Sequence, residues 1–238
     1  MKPFLTAYWS NLLMFNYEID PAILQPYVPK GCELDFFKDK CYASLVGFMF
    51  LDTKLRGVGF PFHQNFEEVN LRFYIRFNDG NEWKRGVVFI KEIVPRRMIS
   101  SIANMIYGEK YHCMPMKNSL TENKDFFELK YQWKFNNEWN HLQAMAEKKS
   151  SIIEPNSQEE FITEHYWGYS RLNNHTTSEY EVAHPKWQVH KILSYGVDCN
   201  IGKLYGTEFI EPLSKQPSSV LLAKGSEVSV KNRKVWKY

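Results

Sequence analysis

The sequence predicts an α+β protein in which short antiparallel strands dominate and helices are few. Three observations carry this. Apolar residues recur with a period of two over several segments. Those segments are bounded by tight-turn residues. Aromatic residues are abundant, 16% of the 238-residue chain with 17 Phe, 14 Tyr and 7 Trp, and aromatic side chains pack well on a pleated surface. A sheet built from such hairpins is expected to be closed or nearly closed.

The elements follow in order. Asp20-Pro21 places an N-cap before a proline at the first helical position and starts a short helix to about Tyr27. Lys38-Asp39-Lys40 joins strands near 33–37 and 41–51. Residues 68–77 alternate: Val69, Leu71, Phe73, Ile75 and Phe77 fall on one face, with Glu68, Asn70, Arg72, Tyr74 and Arg76 on the other. Asn78-Asp79-Gly80-Asn81 supplies turn chemistry, because Asp-Gly tolerates positive φ. A second strand follows through Arg85–Ile90. Pro95 starts a helix in which Met98, Ile99, Ile102, Met105 and Ile106 recur at helical spacing, and Gly108 can end it in a left-handed conformation. Phe127, Leu129, Tyr131, Trp133 and Phe135 alternate with Glu128, Lys130, Gln132 and Lys134, and Asn136-Asn137 closes that hairpin. Residues 147–158 read as a polar loop. Ser157-x-x-Glu160 is a capping box ahead of Phe161 and Ile162. Asn173-Asn174 turns the chain between Tyr166–Leu172 and Glu179–Ala183.

No repeat, low-complexity tract or linker interrupts the pattern, so residues 1–238 read as one domain. A domain of this size hides roughly 70% of its unfolded surface. The net charge of +3 is too small to imply nucleic acid. The basic end (Lys231, Arg233, Lys234, Lys237) reads as a solvated tail rather than a site for an acidic partner. Cys32, Cys41, Cys113 and Cys199 form no C-x-x-C pair and no disulfide framework, as expected of reduced thiols in a cytoplasmic protein. The uncharged run Phe4–Tyr17 is too short and polar to span a membrane and lacks the architecture of a signal peptide. No metal site is expected, because the seven histidines show neither H-E-x-x-H nor a paired zinc spacing. No cofactor is expected either: there is no glycine-rich phosphate loop, and a G-x-S-x-G elbow is also missing. Nothing in the sequence specifies an oligomeric state.

Several phrases, in this order, resemble the YqjF-like family of uncharacterised proteins within the acetoacetate-decarboxylase-like superfamily. They are Asn16-Tyr17-x-x-Asp20-Pro21, Tyr42–Phe48, Glu68-Val69-Asn70-Leu71-Arg72, Arg85–Pro95, Thr163–Trp167, His184-Pro185-x-Trp187 and Pro217–Val220. The resemblance runs almost end to end. It implies a central antiparallel β-barrel or cone with peripheral helices and an internal pocket.

A more distant resemblance reaches acetoacetate decarboxylase itself. Phe66-Glu67-Glu68 is similar to its strand glutamate after an aromatic, and Tyr107-Gly108 to its aromatic-Gly pair. Its two lysines, the first of which forms the Schiff base, fall on Tyr111 and His112. A Schiff-base amine needs a depressed pKa, supplied by desolvation or a neighbouring cation. Lys110 is one position off, and in an extended segment a one-residue shift reverses the side chain. Lys110 is therefore a weak catalytic candidate, restored only by a local bulge.

The polar face of 68–76 has two readings, a solvated surface or the lining of a cavity. In the second, Arg72 needs a carboxylate partner, with Glu68 at hand, or an anionic ligand. Tyr111 or His112 reaches the same pocket or is a buried aromatic and a capped imidazole. The expected site is Glu68, Arg72, Tyr107, Tyr111 and His112, taking a small anionic or carbonyl-bearing molecule without Schiff-base chemistry. The alternatives are a lyase using Lys110, and an interaction protein whose barrel is filled by its own side chains. Arg96-Arg97 opposes the helix macrodipole and is expected to pair with an acid, such as Glu92, or with a bound anion. His63 reads as a loop histidine or part of a pocket mouth. His184-Pro185-Lys186-Trp187 reads as an extended turn or an aromatic pocket wall.

Overall fold

The computed structural model describes residues 3–238. Its strands are β1 (Leu5–Glu18), β2 (Cys32–Leu34), β3 (Tyr42–Leu55), β4 (Phe66–Asn78), β5 (Trp83–Val94), β6 (Tyr111–Cys113) and β7 (Met116–Glu122). They continue with β8 (Phe126–Phe135), β9 (Glu138–Ile152), β10 (Trp167–Asn173), β11 (Thr176–Ala183), β12 (Gln188–Asp198), β13 (Ser219–Val230) and β14 (Lys234–Lys237). The helices are short: α1 (Pro21–Leu24), α2 (Arg97–Tyr107), α3 (Gln158–Thr163), α4 (Ile201–Tyr205) and α5 (Ile210–Leu213).

The hydrogen-bonded order β11–β10–β5–β4–β3–β1–β13 returns on itself, because β13 also pairs with β11 through Val182↔Val230 and Ala183↔Ser229. These seven strands form a ring. Most pairings are antiparallel; β10 with β5 and β6 with β5 are short parallel contacts. From β13 the sheet continues through β12, β9, β8 and β7. This extension lays Phe127, Leu129, Tyr131 and Trp133 onto the outer residues of β1, β3 and β4. Gly47 permits that close approach, since a Cβ there would stand 2.7 Å from the Tyr131 ring.

Both faces of β4 are consequently buried. Val69, Leu71, Phe73, Ile75 and Phe77 join the outer core, while Phe66 and Tyr74 join a second apolar cluster on the inner side. Glu68, Asn70 and Arg72 share that inner face and are 2%, 2% and 9% exposed. The solvated-face reading therefore fails for Glu68, Asn70 and Arg72 and holds only for Arg76, which is exposed and pairs with Glu33: a second layer covers the apolar side, and the ring covers the rest of the polar side.

Other expectations are corrected locally. Arg96 is the N-cap of α2 in extended conformation and Arg97 its first residue, so Pro95 precedes the helix. Gly108 ends α2 in the left-handed region with φ 70°, as expected. β2 stops at Leu34, and Phe37 and Lys40 form only an isolated bridge. Residues 147–152 belong to β9, which leaves a shorter loop before Ser157. The basic end is a paired strand rather than a tail, since β14 pairs with β11 and Lys231 bonds Glu181 at 2.7 Å, while its basic side chains are exposed to solvent as expected. Among the described residues no helix is long and apolar enough to cross a membrane.

Candidate functional site

The inner face of the ring, α2 and the loop between β3 and β4 line a cavity of about 140 Å³. Trp9, Phe48, Phe50, Phe66, Phe89 and Trp187 supply its apolar wall. Their rings pack on one another; Phe50 and Phe66, for example, stack at 4.7 Å. Into this wall β4 projects Glu68, Asn70 and Arg72.

β5 contributes Glu92 through an irregularity. Arg72 pairs with Phe89 but Leu71 with Lys91, which leaves Ile90 as an extra residue. Such a bulge flips the alternation. Phe89 before it and Glu92 after it both reach the cavity. The extended segment after α2 then alternates in its turn. Glu109 and Tyr111 line the cavity, whereas Lys110 and His112 are exposed and do not. Parallel pairing of Tyr111 with Glu92, and the Glu92 N–H donating to the Lys110 carbonyl at 3.1 Å, hold this register.

The candidate residues thus separate. Glu68, Arg72, Tyr107 and Tyr111 line one cavity. His112 does not join them, and the Lys110 ammonium sits 5.3 Å from the Tyr27 ring instead. No lysine is among the cavity-lining residues described. Both corrections have one cause, the two-residue period of an extended chain.

Glu68 accepts from Asn70 Nδ2 at 2.8 Å and from Tyr111 Oη at 2.9 Å. Burial nevertheless raises its carboxyl to about 7, against these bonds and the attraction of Arg72. Burial raises Glu109 to about 8, with Tyr180 and Lys110 opposing the rise. Glu92 is raised well above the usual carboxylate range by burial and by repulsion from Glu109 and Glu68. Glu92 Oε2 and Glu109 Oε1 are buried with no donor from any other kind of side chain, and the two carboxyls bond each other, a contact that needs a proton on one of them.

Arg72 does not form the expected ion pair with Glu68. Its Nη2 meets the Ile162 carbonyl at 3.5 Å and Met14 Sδ at 3.8 Å, and its Nε has no partner. Arg96 and Arg97 are exposed and Glu92 faces the cavity, so they do not pair with Glu92.

Sequence reasoning missed several polar members of the site, Glu92 among them. Glu109 and Tyr180 line the cavity. So does His165, whose Nε2 donates to Asp35 Oδ2 at 3.1 Å while Arg85 Nε holds the same oxygen at 2.7 Å. Burial lowers His165 to about 4, and its Nδ1 has no partner. His63 and His184 line the cavity too, and His184 stacks on Trp187 at 4.0 Å. The alternation around Glu109 could have been read in sequence; the Asp35–His165 contact, across 130 residues, could not. Among the described residues no cluster of three or more His, Cys, Asp or Glu could hold a metal ion.

A family model described as an uncharacterized conserved protein family, DUF2071, matches residues 6–227. The chain belongs to this family. One relative is the uncharacterized protein YqjF of Bacillus subtilis, 25% identical over 183 residues, covering 75% of this chain and 72% of YqjF. Acetoacetate decarboxylase from Legionella pneumophila has a similar structure, with TM-score 0.65 and 14% identity over 98% of this chain and 86% of that one. The enduracididine biosynthesis enzyme MppR, solved with pyruvate, matches with TM-score 0.64 and 10% identity over 99% and 91%. These similarities place the DUF2071 chain in the acetoacetate-decarboxylase-like fold.

Proposed function

We propose that the protein binds a small metabolite with a carboxylate or carbonyl group inside the ring of strands, without forming a Schiff base. The ring is read as a barrel, the whole chain as one such domain, and the cavity as its lumen. The observation that carries the reading is Arg72, 9% exposed, in the cavity wall, with no carboxylate partner and a free Nε. A buried guanidinium is costly unless it is paired, and a bidentate anion is its natural complement. The cavity volume of about 140 Å³ is close to the roughly 150 Å³ that accommodates benzene, which limits the ligand to about six to eight non-hydrogen atoms. Pyruvate, held by the structurally similar MppR, is of this size.

Thermal unfolding with short-chain carboxylates and 2-oxo acids tests the reading. A ligand at about 100 times its Kd adds roughly 2.7 kcal/mol, which for a chain of this size raises Tm by about 5–10 °C. Arg72→Met is expected to abolish that rise, and an unchanged rise in the variant would refute the assignment. A second reading, a lyase working through Lys110, draws on one observation: desolvation lowers its ammonium below the ordinary range. Borohydride reduction with carbonyl compounds, followed by peptide mapping, tests it. No adduct on Lys110 is expected, because its side chain lies outside the cavity.

A further inference from the structure

We propose that the ligand is a small zwitterion, with its carboxylate on Arg72 and its ammonium group among Glu68, Glu92 and Glu109. The inference rests on reading the cavity as a metabolite site anchored by Arg72.

Charge balance leads to it. Three carboxyl groups and one guanidinium line the cavity, and no lysine does. The carboxyls are not surface groups: Glu68, Glu92 and Glu109 are 2%, 1% and 8% exposed. Buried carboxylates need a positive partner or must stay protonated. Glu92 and Glu109 bond each other, which needs a proton retained on one of them, and Arg72 Nε finds no acceptor. An acid pair held together by a proton that an ammonium group can replace, and an unserved guanidinium N–H, complement an ammonium at one end and a carboxylate at the other. A simple carboxylate satisfies only the Arg72 end, and it adds a fourth acid to an enclosure that already holds three. Aromatic rings flank the acidic end, where Tyr107 and Tyr180 stand 4.6 Å apart, and ring faces attract cations. The three acids do not form a metal cage, since no cluster of that kind occurs among the described residues.

Spacing is compatible. Glu68 and Arg72 lie four residues apart on one strand face, about 13 Å between Cα atoms at strand rise, and their long side chains close part of the gap. They bond different partners, Glu68 to Asn70 and Tyr111 and Arg72 to the Ile162 carbonyl.

Binding should move protons. The groups facing the acids are Arg72 from β4, Tyr107 from α2, Tyr111 and the Lys110 charge from the segment after α2, and Tyr180 from β11. Burial raises Tyr111 and Tyr180 well above the ordinary phenol, so they remain donors. His165 and His184, lowered to about 4, are neutral near pH 7.5. Burial leaves protons on Glu92 and Glu109 of the empty cavity at pH 7.5, whereas Glu68, raised only to about 7, is largely ionised. An entering ammonium drives them off, whereas an entering carboxylate alone does not.

The test is titration calorimetry of the full chain at pH 7.5 in two buffers of different ionisation enthalpy. The probes are 2-aminobutyrate, 4-aminobutyrate, butyrate, 2-oxobutyrate and 1-propylamine. The expected result is that one aminobutyrate binds at least about tenfold tighter than butyrate, 2-oxobutyrate or propylamine, with net proton release. Glu92→Gln should weaken that aminobutyrate by about tenfold or more and leave butyrate within about twofold. Glu109→Gln serves the same purpose if Glu92→Gln does not fold. Arg72→Met should weaken butyrate as well. If butyrate or 2-oxobutyrate matches both aminobutyrates, the zwitterion is overturned and the Arg72 anion site stands. If propylamine binds best and ignores Arg72→Met, the carboxylate end is overturned. If none of the five binds, both the zwitterion and the anion-site reading fail.

Discussion

Tyr111 shows how one side chain sets the state of another. Its hydroxyl donates to Glu68 Oε2 at 2.9 Å, and burial keeps that phenol protonated. The bond favours the ionised carboxyl, yet burial still lifts Glu68 to about 7. Tyr111→Phe removes the donor and should move Glu68 further up. The expected cost in unfolding free energy is about 1–2 kcal/mol at pH 8, where the carboxylate needs the donor, and less at pH 5, where the acid carries its own proton. Denaturant titrations at the two pH values measure this, and an equal loss at both would mean that Tyr111 acts through packing alone. Sequence made Glu68 and Arg72 visible because a clean alternation puts both on one strand face. Glu92 was read as a partner for Arg96-Arg97 because the extra residue at Ile90, which turns Glu92 inwards, leaves no mark in residue type. Tyr111 and His112 were left as equals because their phase depends on how the chain leaves Gly108. The structure resolves this by putting odd positions 109 and 111 inwards and even positions outwards.

At the scale of elements, α3 ties local chemistry to the cavity. Ser157 Oγ accepts from the Glu160 N–H at 3.1 Å, and Glu160 Oε2 accepts in return from the Asn156 N–H at 2.8 Å, one residue before the cap. That closure fixes Phe161 and Ile162, 4% and 0% exposed, and the Ile162 carbonyl meets Arg72 at 3.5 Å. Ser157→Ala should cost about 1 kcal/mol, or roughly 2–4 °C of Tm, and should also weaken carboxylate binding because the Arg72 contact shifts with the helix. A lower Tm with unchanged affinity would show that α3 does not position Arg72. Gly108→Ala should be more damaging still. Its φ of 70° disfavours any Cβ, and the added carbon would stand 2.2 Å from Leu172. Elements closed by local turns, such as β4–β5, β8–β9 and β10–β11, were legible because each hairpin carries its own turn residues. β1 and β13 were not. Leu5 pairs with Val230, and no local signal encodes a partner 225 residues away.

For the whole molecule, the buried acids and histidines make stability depend on pH in opposite senses. Glu68 and Glu109 are raised from 4.5 to about 7 and about 8, so between those values the folded chain holds protons that the unfolded chain has released. Stability from these groups is full below pH 4.5 and is lost as pH rises through 7 and 8. His165 and His184 are lowered from 6.5 to about 4, so their contribution is present above pH 6.5 and is lost as pH falls towards 4. The two slopes oppose each other between pH 4.5 and 6.5, and above 6.5 only the acids act. Ligand-free protein should therefore lose about 5 °C or more of Tm between pH 6.5 and 8.5. Glu109→Gln should flatten that fall, since an amide needs no proton to remain neutral. A zwitterion should flatten it as well, by supplying the positive charge that the ionised acids lack. A Tm that holds level or rises to pH 8.5 in the ligand-free wild type would mean that the three carboxyls are already ionised and paired. The cavity would then have no vacancy for a cation.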